Sequence, residues 1–184
     1  MADERPLHYV CTLDEATALV AGHDRFWVST CGCRERKGGC QRSRDDLCLQ
    51  FAPATAANPA GHREISHDDV AEILREAAGR RLVPRPFRGE TNRSITEGIC
   101  FCCDDCCGYF QDPREQCDRG AYVETTDPKL CGDCLACVPV CHFGARLLDG
   151  RRLRLVRDLC YGCGVCVQAC PSFAIRMVER DAGG

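Results

Sequence analysis

Hydrophobic positions in the first half of the chain fall in short blocks at helical or strand spacing, separated by Gly and Pro. Thr12 followed by Glu15 has capping-box spacing, in which each side chain satisfies a backbone N–H of the other, and predicts a helix running to about Ala21. Phe26-Trp27-Val28 reads as a short strand leading into Cys31-Gly32-Cys33, with Trp27 in the core. Ser66 and Asp69 repeat the capping spacing ahead of a second helix. Its apolar face is Val70, Ile73, Leu74 and Ala77, and Gly79 ends it. Leu82-Val83 then predicts a strand stopped by Pro84 and Pro86, which lack the N–H a ladder needs. The stretch from Ala52 to Gly61, with Pro53 and Pro59, reads as a loop.

Composition changes this picture at one point. Cysteine accounts for 19 of 184 residues, the density of a disulfide-stapled or metal-loaded protein. The N-terminus, Met1-Ala-Asp-Glu-Arg-Pro6, is charged and lacks the apolar stretch of a secretory signal. No run approaches the ~18 apolar residues of a membrane span. The expected location is therefore the cytoplasm, where thiols stay reduced and cysteines at this density hold metal; their odd number also disfavours complete disulfide pairing. With 24 basic against 27 acidic residues, no global field points to nucleic acid or a membrane surface.

The cysteines carry an internal repeat. Cys131, Cys134, Cys137 and Cys141 follow C-x2-C-x2-C-x3-C, and Cys160, Cys163, Cys166 and Cys170 repeat it 29 residues later, with Pro171 next. Ala145 and Ala174 keep the same offset. Each iron of a 4Fe–4S cubane takes one thiolate, and a tight C-x2-C-x2-C loop supplies three around one cluster. Gly132, Gly162 and Gly164 suit loops of positive φ that bring backbone N–H groups close to the sulfides, although any one of them also suits an ordinary turn. Zinc knuckles use longer separations between C-x2-C pairs, so this spacing points to cubanes.

From about residue 121 to 180 the chain resembles the bacterial two-cluster ferredoxin family. In that family the fourth Cys of each run starts a short helix and ligates the other cluster. The resemblance therefore implies one cluster on Cys131, Cys134, Cys137 and Cys170, and a second on Cys160, Cys163, Cys166 and Cys141. It implies a pseudo-twofold α+β unit with a short helix after each Cys run. Tyr122-Val-Glu-Thr125 and Ala174-Ile-Arg-Met-Val178 would be the outer strands. Leu147-Leu148 and Leu153-Arg-Leu155 would form a hairpin across Asp149-Gly150, a favoured turn pair. His142 replaces the Pro that usually follows the fourth Cys, and is expected to face the surface. Arg146, Arg151, Arg152, Arg154 and Arg157 make this third basic, either as a solvated connector or as a face for an acidic partner or for the chain's own N-terminal region.

Residues 1–120 are expected to form a small α+β cysteine-rich domain ahead of the ferredoxin-like domain at 121–184. Cys31, Cys33, Cys40 and Cys48 lie among Arg34, Arg36, Lys37, Arg42 and Arg44, and the helix and its return would bring them to Cys100, Cys102, Cys103, Cys106 and Cys107. Adjacent cysteines point apart, so one of each pair could serve a metal centre while its neighbour serves another or packs in the core. Cys31, Cys33, Cys40, Cys48, Cys100, Cys102, Cys106 and Cys107 would hold one or two further 4Fe–4S clusters, with a structural zinc site as the alternative. Reactive redox thiols are a weaker option, since no Cys has an adjacent base. Cys11 and Cys117 read as packing residues. His8, His23, His62 and His67 lack ligand spacing and read as surface or capping residues. There is also a loose likeness to Cys-x-Cys and Cys-Cys elements ahead of ferredoxin repeats in anaerobic redox proteins.

Two roles remain. Fully ligated cubanes leave one-electron transfer, so the chain would be an electron carrier, or the wiring subunit of an oxidoreductase complex, exchanging electrons with redox protein partners and lacking a catalytic acid, base or nucleophile. Alternatively the N-terminal region is a redox-enzyme or sensor site fed by the ferredoxin part. No phosphate-binding glycine motif supports a nucleotide or flavin.

Overall fold

The computed structural model describes residues 4–53, 62–112 and 114–180; most of the loop expected between Ala52 and Gly61 lies outside them. The chain is α+β. In order the elements are β1 (His8–Tyr9), α1 (Leu13–Ala21), β2 (Phe26–Ser29), α2 (Gly32–Lys37), β3 (Cys48–Gln50), β4 (Arg63–Ile65), α3 (His67–Gly79), β5 (Val83–Arg88), β6 (Thr96–Cys102), α4 (Gly108–Gln111) and β7 (Cys117–Asp118). The C-terminal third adds β8 (Tyr122–Thr126), β9 (Arg146–Asp149), β10 (Arg152–Leu155), α5 (Val165–Ala169) and β11 (Ile175–Glu179).

Both capping boxes form. Thr12 Oγ1 accepts from the Glu15 N–H at 3.2 Å while Glu15 Oε2 accepts from the Thr12 N–H at 2.8 Å. Ser66 and Asp69 make the same reciprocal pair at 3.1 and 2.9 Å. Val70, Ile73 and Ala77 of α3 are buried against Phe26, Val28, Leu49, Ile65, Ile99 and Phe101 of the sheet, so helical and strand periodicities meet in one core.

That sheet runs β4-β2-β3-β6-β5-β1-β7, antiparallel except for β1 beside β7. Contrary to the sequence reading, β5 continues through both prolines. Pro84 pairs with Phe101 and Pro86 with Ile99. The Pro84 carbonyl accepts from the Cys11 N–H, and the Arg88 N–H donates to the Leu7 carbonyl. Residues of that parity therefore turn their backbone polar groups away from β6, and the missing N–H groups fall on the side of the two-residue β1, where little ladder is lost.

On β6, period-two alternation sends Ile99 and Phe101 into the core under α3 and turns Cys100 and Cys102 to the opposite face. There a second apolar cluster joins Val10, Val83, Cys102 and Cys107 to Val140, Val165 and Ala169, so the cysteine face of the sheet is covered by the C-terminal third. That third has two small antiparallel sheets, β8 with β11 and the β9–β10 hairpin across Asp149-Gly150. Its one α-helix among the described residues, α5, lies inside the second cysteine run and ends at Cys170, which caps it, and a single 3-10 turn over Arg157–Leu159 precedes that run. The first run, at 131–141, folds as turns. A helix after each run, as the resemblance implied, is thus absent among the described residues; at the second run Cys170 leaves the helical region (ψ 107°) and Pro171 follows.

Candidate metal centres

The backbone of the two C-terminal runs repeats with the sequence. Positive φ occurs at Asp133 and Gly162, at Leu135 and Gly164, and at Gly144 and Phe173, each pair 29 residues apart. Gly132, expected to supply positive φ, is not among these positions; Asp133 and Leu135 take that conformation instead. Gly162 is the least replaceable of them. Its φ is +84°, and a Cβ there would strike the Tyr122 carbonyl oxygen at the head of β8. Gly162→Ala is therefore expected to destabilise the chain by at least about 1–2 kcal/mol from the left-handed conformation alone, and more once β8 is displaced. Anaerobic denaturant unfolding with iron release as the probe measures it.

Cys131, Cys134, Cys137 and Cys170 line one cavity, together with Arg146 and Leu153. Cys141, Cys160, Cys163 and Cys166 line another, with Glu124, Arg146 and Tyr161. The structure thus gathers the eight thiols in two groups of four, each taking one member from the opposite run. The donor set suits soft iron, and the Ala174 N–H donates to Cys170 Sγ at 3.3 Å. Burial pushes the Cys166 thiol up to about 12, so loading metal here must displace bound protons.

Arg146 lies between the two cavities. It is fully buried, donates to Cys137 Sγ at 3.4 Å, pairs with Glu124, and leaves its Nε without a partner. It is therefore no part of a surface basic face, unlike the exposed Arg151, Arg152 and Arg154. His142 is also not at the surface. Its side chain is 4% exposed, with Nδ1 3.4 Å from Asp104 and the ring edge-on to Phe110, and burial lowers its pKa.

The N-terminal cysteines form two groups rather than one. Because β3 pairs with β6 through Leu49 and Ile99, Cys48 lands beside Cys100, Sγ to Sγ 3.7 Å. From Cys100 the thiol contacts pass to Cys102, Cys107, Cys33 and Cys31. Cys31 is the N-cap of α2 and Cys107 that of α4. The Gly108 N–H and Arg36 both donate to Cys33 Sγ at 3.4 Å. Cys33 and Cys102 are held below the ordinary thiol range, Cys33 chiefly by the Cys107 thiol and Cys102 chiefly by the Cys100 thiol.

Arg85, opposite Cys100 in the ladder, points into this six-thiol pocket. It is 1% exposed, reaches Cys107 Sγ at 2.8 Å, and has Nε and Nη2 unpartnered. A buried guanidinium with free donors among thiols fits an anionic group with many acceptors, which a thiolate-ligated cubane is. The sequence reading passed over Arg85. It also took His8 for a surface or capping residue, whereas His8 lies 4.0 Å from Cys100 Sγ, with burial lowering its pKa to about 4; Cys117 packs against the second apolar cluster, as expected, beside Arg85.

The second group is Cys40, Cys103 and Cys106, their sulfurs all within 4.8 Å of one another. Cys40 and Cys106, expected with the other six, stand apart from them, and Cys103, left out of that set, joins them. The adjacent pairs do diverge: Cys103 and Cys106 enter the core under α3, while Cys102 and Cys107 enter the cluster shared with the C-terminal third. Of the interleaved basic residues, Arg34 is buried and donates to the Phe101 carbonyl at 2.8 Å. Arg42 and Arg44 instead pair with Asp104, Asp46 and Glu76 nearer the surface. Cys11 is an ordinary core residue.

Residues 154–176 match the 4Fe-4S binding domain family; with the cysteine spacing, this gives the chain an iron–sulfur domain of the ferredoxin type. A stretch of 62 residues, 33% of the chain, is 37% identical to proteins described as archaeal-type glutamate synthase [NADPH] from Thermotoga sp. (strain RQ2) and Thermotoga maritima. The chain covers only 12% of the length of these relatives. No solved structure matches it. No helix among the described residues is long and apolar enough to cross a membrane.

Proposed function

We propose that the chain is an electron-transfer protein, or the wiring subunit of an oxidoreductase complex, with two 4Fe–4S clusters in its C-terminal third and at least one more in the N-terminal six-thiol pocket. The observation that carries this reading is the grouping of Cys131, Cys134, Cys137 and Cys170 around one cavity and of Cys141, Cys160, Cys163 and Cys166 around the other. Four thiolates per cubane leave no open iron for a substrate, so the role left is to pass single electrons.

Packing supports a continuous path. Cys102 and Cys107 of the six-thiol pocket share one apolar cluster with Cys163 and Tyr161 of the second ferredoxin site. Tyr161 stacks on Phe143 at 4.4 Å between ring centroids, and Tyr109, two residues after Cys107, meets Tyr161 at 5.8 Å. The protein's part is to fix these centres, exclude water between them, and set their potentials through buried cations such as Arg85 and Arg146. The glutamate synthase relatives are consistent with service to a larger oxidoreductase, and the donor and acceptor would be redox proteins.

Anaerobic iron and sulfide analysis with redox-titrated EPR tests the proposal. Three clusters mean about twelve irons and as much sulfide per chain. About eight irons would remove the N-terminal cluster from the proposal, and absence of sulfide would overturn it entirely.

A further inference from the structure

We infer that Cys40, Cys103 and Cys106 hold a single zinc ion, in a site separate from every cluster.

The spacing of the sulfurs carries the inference. Cys40 Sγ lies 3.5 Å from Cys103 Sγ, and Cys103 Sγ 3.6 Å from Cys106 Sγ. Tetrahedral zinc with Zn–S bonds of about 2.3 Å sets its thiolates roughly 3.8 Å apart. A cubane binds each thiolate through a different iron and spreads them to on the order of 6 Å, so one close pair such as Cys48 and Cys100 decides nothing, whereas three sulfurs all within 4.8 Å of one another fit a single ion. The chain supplies its own reference. The eight C-terminal cysteines, grouped in fours around two cavities, contain no such close triad among the described residues, and Cys40, Cys103 and Cys106 are the one set that does.

Hydrogen-bond donors and a buried cation face the triad. The Arg42 N–H donates to Cys40 Sγ at 3.4 Å, and the Ser43 backbone approaches the same sulfur. Cys103-Asp-Asp-Cys106 is a C-x2-C turn in which the Asp105 and Cys106 backbones donate back to the Cys103 sulfur. Three thiolates on a divalent ion leave one negative charge, and the buried Arg34 lies beside Cys106 to meet it. Binding is an acid–base exchange: three thiols give up three protons, zinc enters, and no electron moves.

The fold separates this ion from the six-thiol pocket, because Cys103 and Cys106 turn into the core under α3 while their neighbours Cys102 and Cys107 turn the other way. Three protein ligands leave a fourth position. Cys106 borders an open cavity of about 310 Å³ rimmed by Arg36, Lys37, Asp105 and Gln111, with Cys33 of the six-thiol pocket also lining it, and a solvent or small anionic ligand reaches the ion from there.

The test is metal analysis of the full chain, purified anaerobically with its clusters, beside Cys103→Ser. Wild type should hold about one zinc per chain, and Cys103→Ser should reduce it to a small fraction while iron and sulfide stay unchanged. Zinc K-edge absorption on the wild type gives an answer that no folding defect can obscure, with three sulfurs at about 2.3 Å and one lighter ligand expected. Absence of zinc, four sulfurs around it, or a loss of iron and sulfide in Cys103→Ser would each overturn the assignment. The proposed clusters fail on missing sulfide, which leaves this site standing, so the two failures are distinguishable.

Discussion

Replacing Cys170 by Ala should strip or degrade one ferredoxin cluster, and combining it with Cys131→Ala should cost almost no further iron. Cys170 and Cys131 line the same cavity although they belong to different runs. Two ligands of one cubane act on one quantity, so their effects are non-additive. Cys170→Ala combined with Cys160→Ala removes ligands from both cavities and should cost about eight irons. Iron and sulfide per chain across the two double variants read the result directly. If Cys170→Ala adds to Cys131→Ala but not to Cys160→Ala, each run serves its own cluster and the crossed assignment is wrong.

The same crossing explains which parts of this chain could be read from its sequence. The 29-residue repeat was visible because both the thiolates and the turns around them are dictated locally. Capping boxes at Thr12 and Ser66 and the Asp149-Gly150 hairpin were legible for the same reason: each is settled by residues within a few positions of one another. The prolines of β5 misled because their cost depends on which side of the strand has a partner, and only the sheet order supplies that. Helix α2 was missed because the sequence reading assigned no element to residues 32–37, although Gly38 at φ +82° closes it.

Sorting the N-terminal cysteines needed the fold as well. Cys48 reaches Cys100 only through the β3–β6 register. That adjacent cysteines must part was clear from sequence, but which partner each would find was not. Cys103-x2-Cys106 did offer a signal: a C-x2-C turn is the usual way for two thiolates to share one ion. Arg34 carried one through its place among the Cys31–Cys48 cysteines, but Arg85 and Arg146 carried none as thiol partners, because burial of an arginine against thiols depends on three-dimensional packing that no local spacing encodes.

Of these three, Arg146 should have the largest measurable influence on the clusters. It approaches Cys137 of one cavity and Cys166 of the other, and it pairs with the buried Glu124. Reduction adds negative charge to a cluster, so a cation at this position favours the reduced state and raises the potential of both. A unit charge ~6 Å away at an effective dielectric of ~20 contributes about 3 kcal/mol, on the order of 100 mV for one electron. Arg146→Met should therefore lower both potentials by roughly that amount and, by leaving Glu124 buried without its partner, destabilise the chain by about 3–5 kcal/mol. Glu124→Gln should move the potentials the opposite way. The double variant Arg146→Met with Glu124→Gln should regain much of the stability, because no unpaired charge remains, and should show potentials slightly below wild type, since the cationic end of the pair lies nearer the thiols. Redox-titrated EPR on the four proteins gives the expected order, from highest to lowest potential, as Glu124→Gln, wild type, double variant and Arg146→Met. Potentials that move for one cluster alone would mean that the guanidinium serves a single site, and no movement in either would reduce Arg146 to a packing residue.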